Sequence, residues 1–407
     1  MKQEIVLAKK ITVGLITVLI LGAMLCFGIF PKKTFSDNEN RTLAEIPEFQ
    51  WASLKDGSYM KALSTYASDH FPFRDAFMTL KSETEKLSGC GEINGVYLSE
   101  DGFLIERFPE PLHSDKVITQ FNKLSDKVTT KARFYTMLVP TAVTAYNDKL
   151  PAGAPDRGDL RQLAVKKHIE TSLSGKIQIV DCWPALKAEA GRQEKNGVTK
   201  EREPSRLSQR IMADPSQAPL YYRTDHHWTT HGAYTAYPEL AKAMGFTPLP
   251  EKDFRHTVVS EDFHGTIYSK LNDTMVPGDP ITIYEDPGAK LTVRYMDTKE
   301  SSSSLYERSY LEKKDKYSMF LNNLHPLIEI DNAAAETDRE LVLIKDSYAN
   351  SMVPFLVRHF KRIYVFDTRY YKFGPGSFIN EHPEVSDVLL LYNMNTIDTD
   401  LGIGGIY

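Results

Sequence analysis

Residues 341–351, LVLIKDSYANS, end an apolar run abruptly in Asp346 and Ser347 and continue with small polar residues. The apolar part has the pattern of a buried strand over 340–345, and the spacing that follows predicts a helix over 348–359. In an open α/β sheet, reactive groups lie just beyond the carboxyl ends of strands, often where a helix begins. Ser347 therefore stands where such a fold places a nucleophilic serine.

The chain on both sides of this stretch alternates between strand and helix patterns. Strand-like runs cover 133–139, 177–183, 363–366 and 388–392, and helical spacing covers 114–131, 158–173 and 230–244. A β-hairpin is predicted around Gly102, and residues 250–335 carry no continuous pattern, only strand-like pieces at 281–285 and 291–296. This alternation is typical of an α/β fold with a mainly parallel sheet flanked by helices.

A second informative stretch is YYRTDHHWTTHGAY, residues 221–234, which holds three of the 11 histidines and one of the 3 tryptophans. An aspartate two residues before a histidine suits a carboxylate that orients an imidazole. We therefore assign Ser347 as nucleophile, His227 as general base and Asp225 as its orienting partner. The amide of Ser347, with Asn393 or Asn395, is the candidate oxyanion hole.

The other features of this stretch have alternative interpretations. Trp228 is either a packing residue or part of a sugar-facing wall, and Tyr371 is a second aromatic candidate for substrate contact. His227 and His231 are four residues apart and would share a helix face as metal ligands, but no Glu follows in the His-Glu-x-x-His manner. We therefore predict no metal site and no cofactor, and expect His231 to be structural.

The N-terminal region contains an uncharged apolar run at residues 11–30, flanked by lysines. Twenty apolar residues match the hydrocarbon core of a bilayer as one helix, whereas the apolar part of a cleaved signal peptide is usually shorter. We expect a cytoplasmic tail at 1–10, a transmembrane signal anchor at 11–30, stalk helices at 31–90 and a catalytic domain at 91–407. The chain should then be a single-pass cell-membrane protein with an extracytoplasmic C-terminal domain.

Composition narrows the function classes further. The chain has 407 residues, 42% of them hydrophobic, a net charge of −5 and a pI near 6.2. This length and apolar content are enough for a large hydrophobic core. The negative net charge means that the chain as a whole lacks the excess of basic residues that is typical of nucleic-acid-binding proteins. We predict no nucleic-acid partner.

Five short motifs together resemble the DHHW family of bacterial membrane-anchored surface proteins. They are the core DHHW at 225–228, FSDNENR at 35–41, DHFPFR at 69–74, NGVY at 94–97 and KDSY at 345–348. That family is similar in turn to the SGNH-hydrolase-like domains of the alginate O-acetylation proteins AlgJ and AlgX. In those domains an Asp-x-His motif precedes the serine, which is the order of Asp225, His227 and Ser347 here.

The resemblance implies an SGNH-hydrolase-like three-layer α/β/α sandwich with permuted motif order. It also implies O-acetyl transfer to a cell-surface or secreted polysaccharide, beside a membrane-bound O-acyltransferase that delivers acetyl groups. A carbohydrate O-acetyl esterase would use the same residues with water as acceptor. A non-catalytic polysaccharide-binding or assembly factor with the same fold is the alternative from another class.

Overall fold

We describe a computed structural model of the chain over residues 2–36, 41–109, 111–154, 158–271, 273 and 275–407. The chain divides into two compact units, residues 1–89 with 269–274, and residues 90–268 with 275–407. Residues 37–40, part of the polar FSDNENR motif, lie outside the described residues.

The first unit is mainly helical. Its elements are α1 (Lys2–Ile29), β1 (Phe35–Ser36), β2 (Arg41–Thr42), α2 (Trp51–Lys55), α3 (Ser58–Asp69) and α4 (Arg74–Leu87). Within α1, Lys9–Ile29 is long and apolar enough to cross a membrane, and its apolar side chains are exposed. A helix of this kind at an N-terminus is a sign of membrane anchoring or of a signal sequence.

The second unit holds a large sheet with its helices. Up to the centre of the chain its elements are β3 (Glu92–Ile93), β4 (Val96–Leu98), β5 (Leu104–Glu106), α5 (Ser114–Lys127), β6 (Arg133–Val139), α6 (Ala142–Ala145), α7 (Gly158–Ser172), β7 (Ile177–Ile179), α8 (Trp183–Lys195), α9 (Pro204–Ala213), α10 (Thr230–Met244) and β8 (Arg255–Phe263). The helix α11 (Thr266–Leu271) begins in this unit, and its residues from 269 onward belong to the first unit. The remaining elements are β9 (Asp279–Glu285), β10 (Leu291–Tyr295), β11 (Ser301–Ser302), β12 (Leu327–Asn332), β13 (Glu340–Lys345), α12 (Val353–Leu356), β14 (Arg362–Phe366), α13 (Pro375–Glu381), β15 (Val385–Asn393) and α14 (Met394–Thr399).

The main sheet has eight strands in the order β11-β10-β12-β14-β13-β15-β6-β7. The five strands from β14 to β7 run parallel, and β12, β10 and β11 extend the sheet in antiparallel fashion. The central strand β13 is buried along its whole length, as its Leu-Val-Leu-Ile core requires in a sheet covered on both faces. The predicted α/β fold with a mainly parallel sheet is confirmed.

Two local predictions have opposite outcomes. The hairpin is confirmed, because β4 pairs with β5 around Gly102, whose φ of 88° is a backbone conformation that glycine adopts easily. The helix predicted over 348–359 is wrong: residues 347–351 form a 3₁₀ turn, followed only by the four-residue α12. Pro354 lacks the N–H that a continuous helix would need, and so it interrupts the α-helical ladder there.

Candidate active site

The loop at residues 225–228 is held closed by its two flanks. Tyr221 and Trp228 form an isolated antiparallel bridge across it. Thr229 then caps α10, since its Oγ1 accepts a hydrogen bond of 3.1 Å from the amide of Gly232. The loop is thus fixed between a strand-like bridge and a capped helix, which limits the positions open to its side chains.

Asp225 orients His227 through one of its carboxylate oxygens. Oδ1 accepts hydrogen bonds from the amide of His227 at 3.0 Å and from its Nδ1–H at 2.5 Å. The other oxygen, Oδ2, accepts from the amide of Thr266 at 2.7 Å and from its hydroxyl at 3.1 Å. Four donors therefore hold a carboxylate that is only 2% exposed, so both the tautomer and the direction of the imidazole are set.

Ser347, the third residue of the predicted triad, hydrogen-bonds to His227. Ser347 Oγ lies 2.7 Å from Nε2 of His227 and donates its hydrogen bond there, because Nδ1 of the same ring carries the proton given to Asp225. Ser347 opens the 3₁₀ turn that follows β13 and is half-buried. The structure therefore brings Asp225, His227 and Ser347 into one hydrogen-bonded row, although His227 and Ser347 are 120 residues apart in sequence.

Trp228 and Tyr348 connect the two segments that supply this row. The indole N–H of Trp228 donates to the backbone oxygen of Tyr348 at 2.9 Å, and the hydroxyl of Tyr348 donates to the backbone oxygen of His226. Both aromatic side chains are completely buried. Each segment thus carries one large aromatic residue that is hydrogen-bonded to the backbone of the other, which fixes the distance between His227 and Ser347.

The electrostatics of the site keep His227 neutral. Burial lowers the pKa of His227 to about 4, against the attraction of Asp225. Burial alone would raise the pKa of Asp225, but His226 and His227, together with the hydrogen bonds it accepts, hold that pKa well below its usual range. At neutral pH the ring is therefore an unprotonated base beside an ionised carboxylate.

Tyr317 supports His227 from one side. Its ring stacks on the imidazole with centroids 3.7 Å apart and planes 11° apart, and its hydroxyl donates to the backbone oxygen of Ser347 at 3.1 Å. Tyr317 thus contacts both His227 and the segment that carries Ser347.

Asp346 and Asn393 fix the turn beneath the serine. Asp346 accepts from the amide of Tyr348 at 2.9 Å, and from the amide and side-chain N–H of Asn393 at 2.7 Å each. Burial raises the pKa of Asp346 to about 6, which these hydrogen bonds counteract. Asn393 gives its second side-chain N–H to Thr396, so both of its N–H groups are used within the protein and it acts here as a support for Asp346.

The remaining candidates for substrate contact have separate surroundings. Asn395 donates to Glu106 at 3.3 Å, and its Oδ1 is buried without a partner. Tyr371 packs edge-on against Phe366. Trp228 presents no ring face to solvent, which agrees with its interpretation as a packing residue. The backbone N–H of Ser347 makes no hydrogen bond to the described residues and stays available as an oxyanion donor.

Asp225, His226 and His227 form a group whose ligand atoms lie within 4.8 Å of one another, close enough to hold a metal ion. Their contacts favour the row described above, since Nδ1 of His227 binds Asp225 and Nε2 binds Ser347. His231 lies apart from this group and contacts Glu189 and Glu251 instead.

Sequence reasoning missed three contributors to the site. Thr266 completes the hydrogen bonding of Asp225, and Gly265 allows the approach, because a Cβ there would lie 2.2 Å from the Asp225 side chain. Gly265 directly precedes α11 and Thr266 is its first residue, and both lie in the region 250–335, which carries no continuous sequence pattern. Tyr317 is the third. The local sequence around these residues contains no signal for their roles, which depend on the tertiary fold.

The comparisons with known proteins agree with the motifs. Residues 208–366 match the family model described as DHHW protein. No curated protein sequence matches the chain. A crystal structure of a DHHW family protein from Eubacterium siraeum matches with a TM-score of 0.61 at 23% identity, covering 77% of this chain and 95% of that one.

Two further solved structures resemble the chain. PatB1 of Bacillus cereus, in a structure with a sulfonyl adduct, matches with a TM-score of 0.57 at 18% identity over 77% of this chain and 98% of that one. The O-acetyltransferase domain of Pseudomonas putida AlgJ matches with a TM-score of 0.42 at 12% identity over 75% of this chain and 93% of that one. At these identities the first of the two establishes a shared fold. The resemblance to the DHHW family that the motifs indicate is thereby confirmed, over residues 208–366 of the chain.

Proposed function

We propose that this chain is an extracytoplasmic O-acetyltransferase that modifies a cell-surface or secreted polysaccharide through Ser347, His227 and Asp225. The observation that carries the proposal is the unbroken hydrogen-bonded row, with 2.7 Å from Ser347 to His227 and 2.5 Å from His227 to Asp225. Productive nucleophile–base pairs have contacts of about 2.6–3.2 Å. A non-catalytic protein with this fold would not require Ser347, His227 and Asp225 to stay within hydrogen-bonding distance of one another.

The reaction has two halves that use the same base. In the first, His227 Nε2 takes the proton of Ser347 as Oγ attacks the acetyl carbonyl carbon, and the leaving group of the donor then receives that proton. In the second, a sugar hydroxyl attacks the acetyl-serine, its proton passes to His227, and Ser347 Oγ recovers a proton as the ester bond breaks. The amide of Ser347 stabilises the oxyanion in both halves.

The neutral state of His227 supports this cycle. A base whose pKa is about 4 is unprotonated at neutral pH and is ready to accept the serine proton, while the adjacent Asp225 stabilises the imidazolium that forms. The apolar segment Lys9–Ile29 supports an anchor in the cell membrane, where a membrane-bound O-acyltransferase could supply the acetyl group. Esterase activity is the same chemistry with water in place of the sugar.

The first test is covalent labelling of the full-length protein in detergent with methanesulfonyl fluoride. The PatB1 structure carries a sulfonyl adduct. An activated serine attacks sulfur and displaces fluoride, so we expect one adduct per chain, mapped by peptide mass to Ser347. Ser347→Ala should give none. Ser351→Ala is the matched control, because Ser351 lies in the same turn but donates to the backbone of Tyr348.

The second part of the test is turnover of p-nitrophenyl acetate by the same three proteins. We expect product release and a transient acetyl-Ser347 in the wild type and in Ser351→Ala, and neither in Ser347→Ala. If the wild type and Ser347→Ala react alike with both reagents, the triad is not functional, and the non-catalytic polysaccharide-binding function becomes the better explanation of the fold.

A further inference from the structure

His226, the residue between Asp225 and His227, has a proton arrangement that its neighbours determine. The hydroxyl of Thr266 lies 3.1 Å from Oδ2 of Asp225 and 2.6 Å from Nδ1 of His226. An ionised carboxylate only accepts hydrogen bonds, so the single hydroxyl proton of Thr266 goes to Asp225. The contact with His226 then needs a donor on the ring, and Nδ1 supplies it.

This arrangement fixes the other ring nitrogen. In neutral imidazole one nitrogen is a donor and the other is an acceptor. With its proton on Nδ1, His226 presents a lone pair at Nε2. That nitrogen has no hydrogen-bond partner among the residues that the structure describes. A second series of hydrogen bonds thus leads from His226 through Thr266 to Oδ2 of Asp225, beside the hydrogen bond from His227 to Oδ1.

His226 is the most exposed of the three neighbouring side chains. Its ring centroid lies 3.9 Å from that of His227, and its side chain is 31% exposed, whereas those of His227 and Asp225 are 7% and 2% exposed. Its backbone oxygen is held by the hydroxyl of Tyr348. His226 is therefore a fixed hydrogen-bond acceptor, one ring away from His227, and it is partly open to solvent.

We propose that Nε2 of His226 accepts a hydrogen bond from a hydroxyl of the carbohydrate, next to the hydroxyl that carries or receives the acetyl group. This inference rests on the proposed function and adds a recognition element to it. Sugars offer O–H donors on adjacent carbons, and a positioned acceptor beside the acyl-serine selects an alcohol with a neighbouring hydroxyl over a simple alcohol or water. The proton transfers themselves stay with His227.

The test uses the full-length protein in detergent and two matched esters. The first is methyl 3-O-acetyl-β-D-glucopyranoside, which has a hydroxyl on each carbon next to the ester, and the second is its 2,4,6-tri-O-methyl ether, which keeps the ester and lacks the hydroxyl donors. When Ser347 takes the acetyl group from such an ester, the sugar leaves from the position that the acceptor sugar occupies in the transfer reaction. The esters therefore report on recognition at the acceptor position. We expect the wild type to prefer the first ester in kcat/KM by about tenfold, the typical effect of one hydrogen bond to a positioned group.

Two variants separate recognition from support of the triad. His226→Asn keeps an N–H near the Nδ1 position, for the bond to Thr266, and removes Nε2. It should reduce the preference for the hydroxyl-bearing ester to near one. His226→Gln places an amide oxygen near the Nε2 position and should keep most of the preference. The preference is a ratio of two kcat/KM values, which a general loss of folded or active protein does not change.

The outcomes distinguish this inference from the proposed function. A wild type that labels at Ser347 with methanesulfonyl fluoride but shows no preference between the esters overturns the role of His226 alone. The same holds if His226→Asn lowers both kcat/KM values by one factor, because His226 then only supports Asp225. Failure of the wild type to label at Ser347 overturns the proposed function, and the role of His226 with it.

Discussion

The buried histidine at the start of α10, His231, should make the stability of the protein depend on pH. Its Nδ1 donates to Glu251 at 3.0 Å and its Nε2 donates to Glu189 at 3.3 Å, so both ring nitrogens act as donors and the ring is an imidazolium. Arg192 also donates to Glu189, and Tyr284 to Glu251. The two carboxylates are thus balanced by two cations, and removing the histidine charge leaves an uncompensated negative charge in the interior.

The magnitude follows from the pKa values. Burial alone would lower the pKa of His231, but the hydrogen bonds to Glu189 and Glu251 raise it to about 9. Against an ordinary value near 6.5, this corresponds to about 3 kcal/mol of added stability. Only 5% of the side chain is exposed, so solvent screening reduces this figure little. A raised folded-state pKa gives stability that is complete below pH 6.5, declines between pH 6.5 and 9, and is lost above pH 9.

Glu189 adds the opposite dependence at low pH. Burial alone would raise its pKa, but the hydrogen bonds from His231 and Arg192 lower it to about 2. A lowered folded-state pKa gives stability that is present above about pH 4.5 and is lost as the pH falls toward 2. The cluster therefore stabilises the fold most between about pH 4.5 and 6.5.

The assay is urea unfolding of the full-length protein in detergent, followed by tryptophan fluorescence between pH 6 and 9.5. We compare the wild type with His231→Gln, and use His168→Gln as control because His168 is an exposed histidine paired with Asp115 at the surface. The wild type should be more stable than His231→Gln by about 3 kcal/mol at pH 6, and this difference should shrink toward zero by pH 9.5. A difference that stays constant across this range would refute the reasoning, since His231 would then not be charged in the folded protein.

Two further predictions concern the active site. Gly265→Ala should slow methanesulfonylation of Ser347 by about 100-fold, because the added Cβ would lie 2.2 Å from the Asp225 side chain and displace the carboxylate. Gly191→Ala is the control and should react at the wild-type rate, since a Cβ at Gly191 meets nothing within 4 Å. The rate of that labelling should be constant from pH 8 to about 5 and halve near pH 4, where His227 becomes protonated; a midpoint near pH 6.5 would show that burial does not lower the pKa of the base.

The sheet could be predicted from the sequence because its strands are apolar runs bounded by polar residues. Residues 133–139 and 340–345 were predicted as strands and are β6 and β13. Burial on both faces of a parallel sheet leaves such continuous apolar runs as a direct signature. The strand-like piece predicted at 281–285 lies in β9, but β8 gave no comparable signal, since most of it is exposed or half-buried and its pairing with β9 is interrupted by register shifts.

Only the site residues that belong to short sequence motifs could be predicted from the sequence. Asp225, His227 and Ser347 were identified from their types and order, and the structure brings them together. Thr266 and Tyr317 could not be found in this way, because a threonine that bonds a carboxylate and a tyrosine that stacks on an imidazole have no sequence pattern of their own. Asn393 was expected to face substrate, but its amide supports Asp346, since a side chain at the end of β15 also has to complete the neighbouring turn.

The order of the four letters in the DHHW core has a physical reason at each position. Asp225 must stand two residues before His227, because the same Oδ1 accepts both the amide and the ring N–H of that residue. The residue between them, His226, does not take part in that pair of hydrogen bonds, and its side chain is 31% exposed. Trp228 must follow at once, since its indole N–H has to reach the backbone of Tyr348, next to Ser347. Exchanging any two unlike letters would separate the carboxylate from the base, or the indole from the backbone of Tyr348, so the motif specifies a geometry as well as a composition.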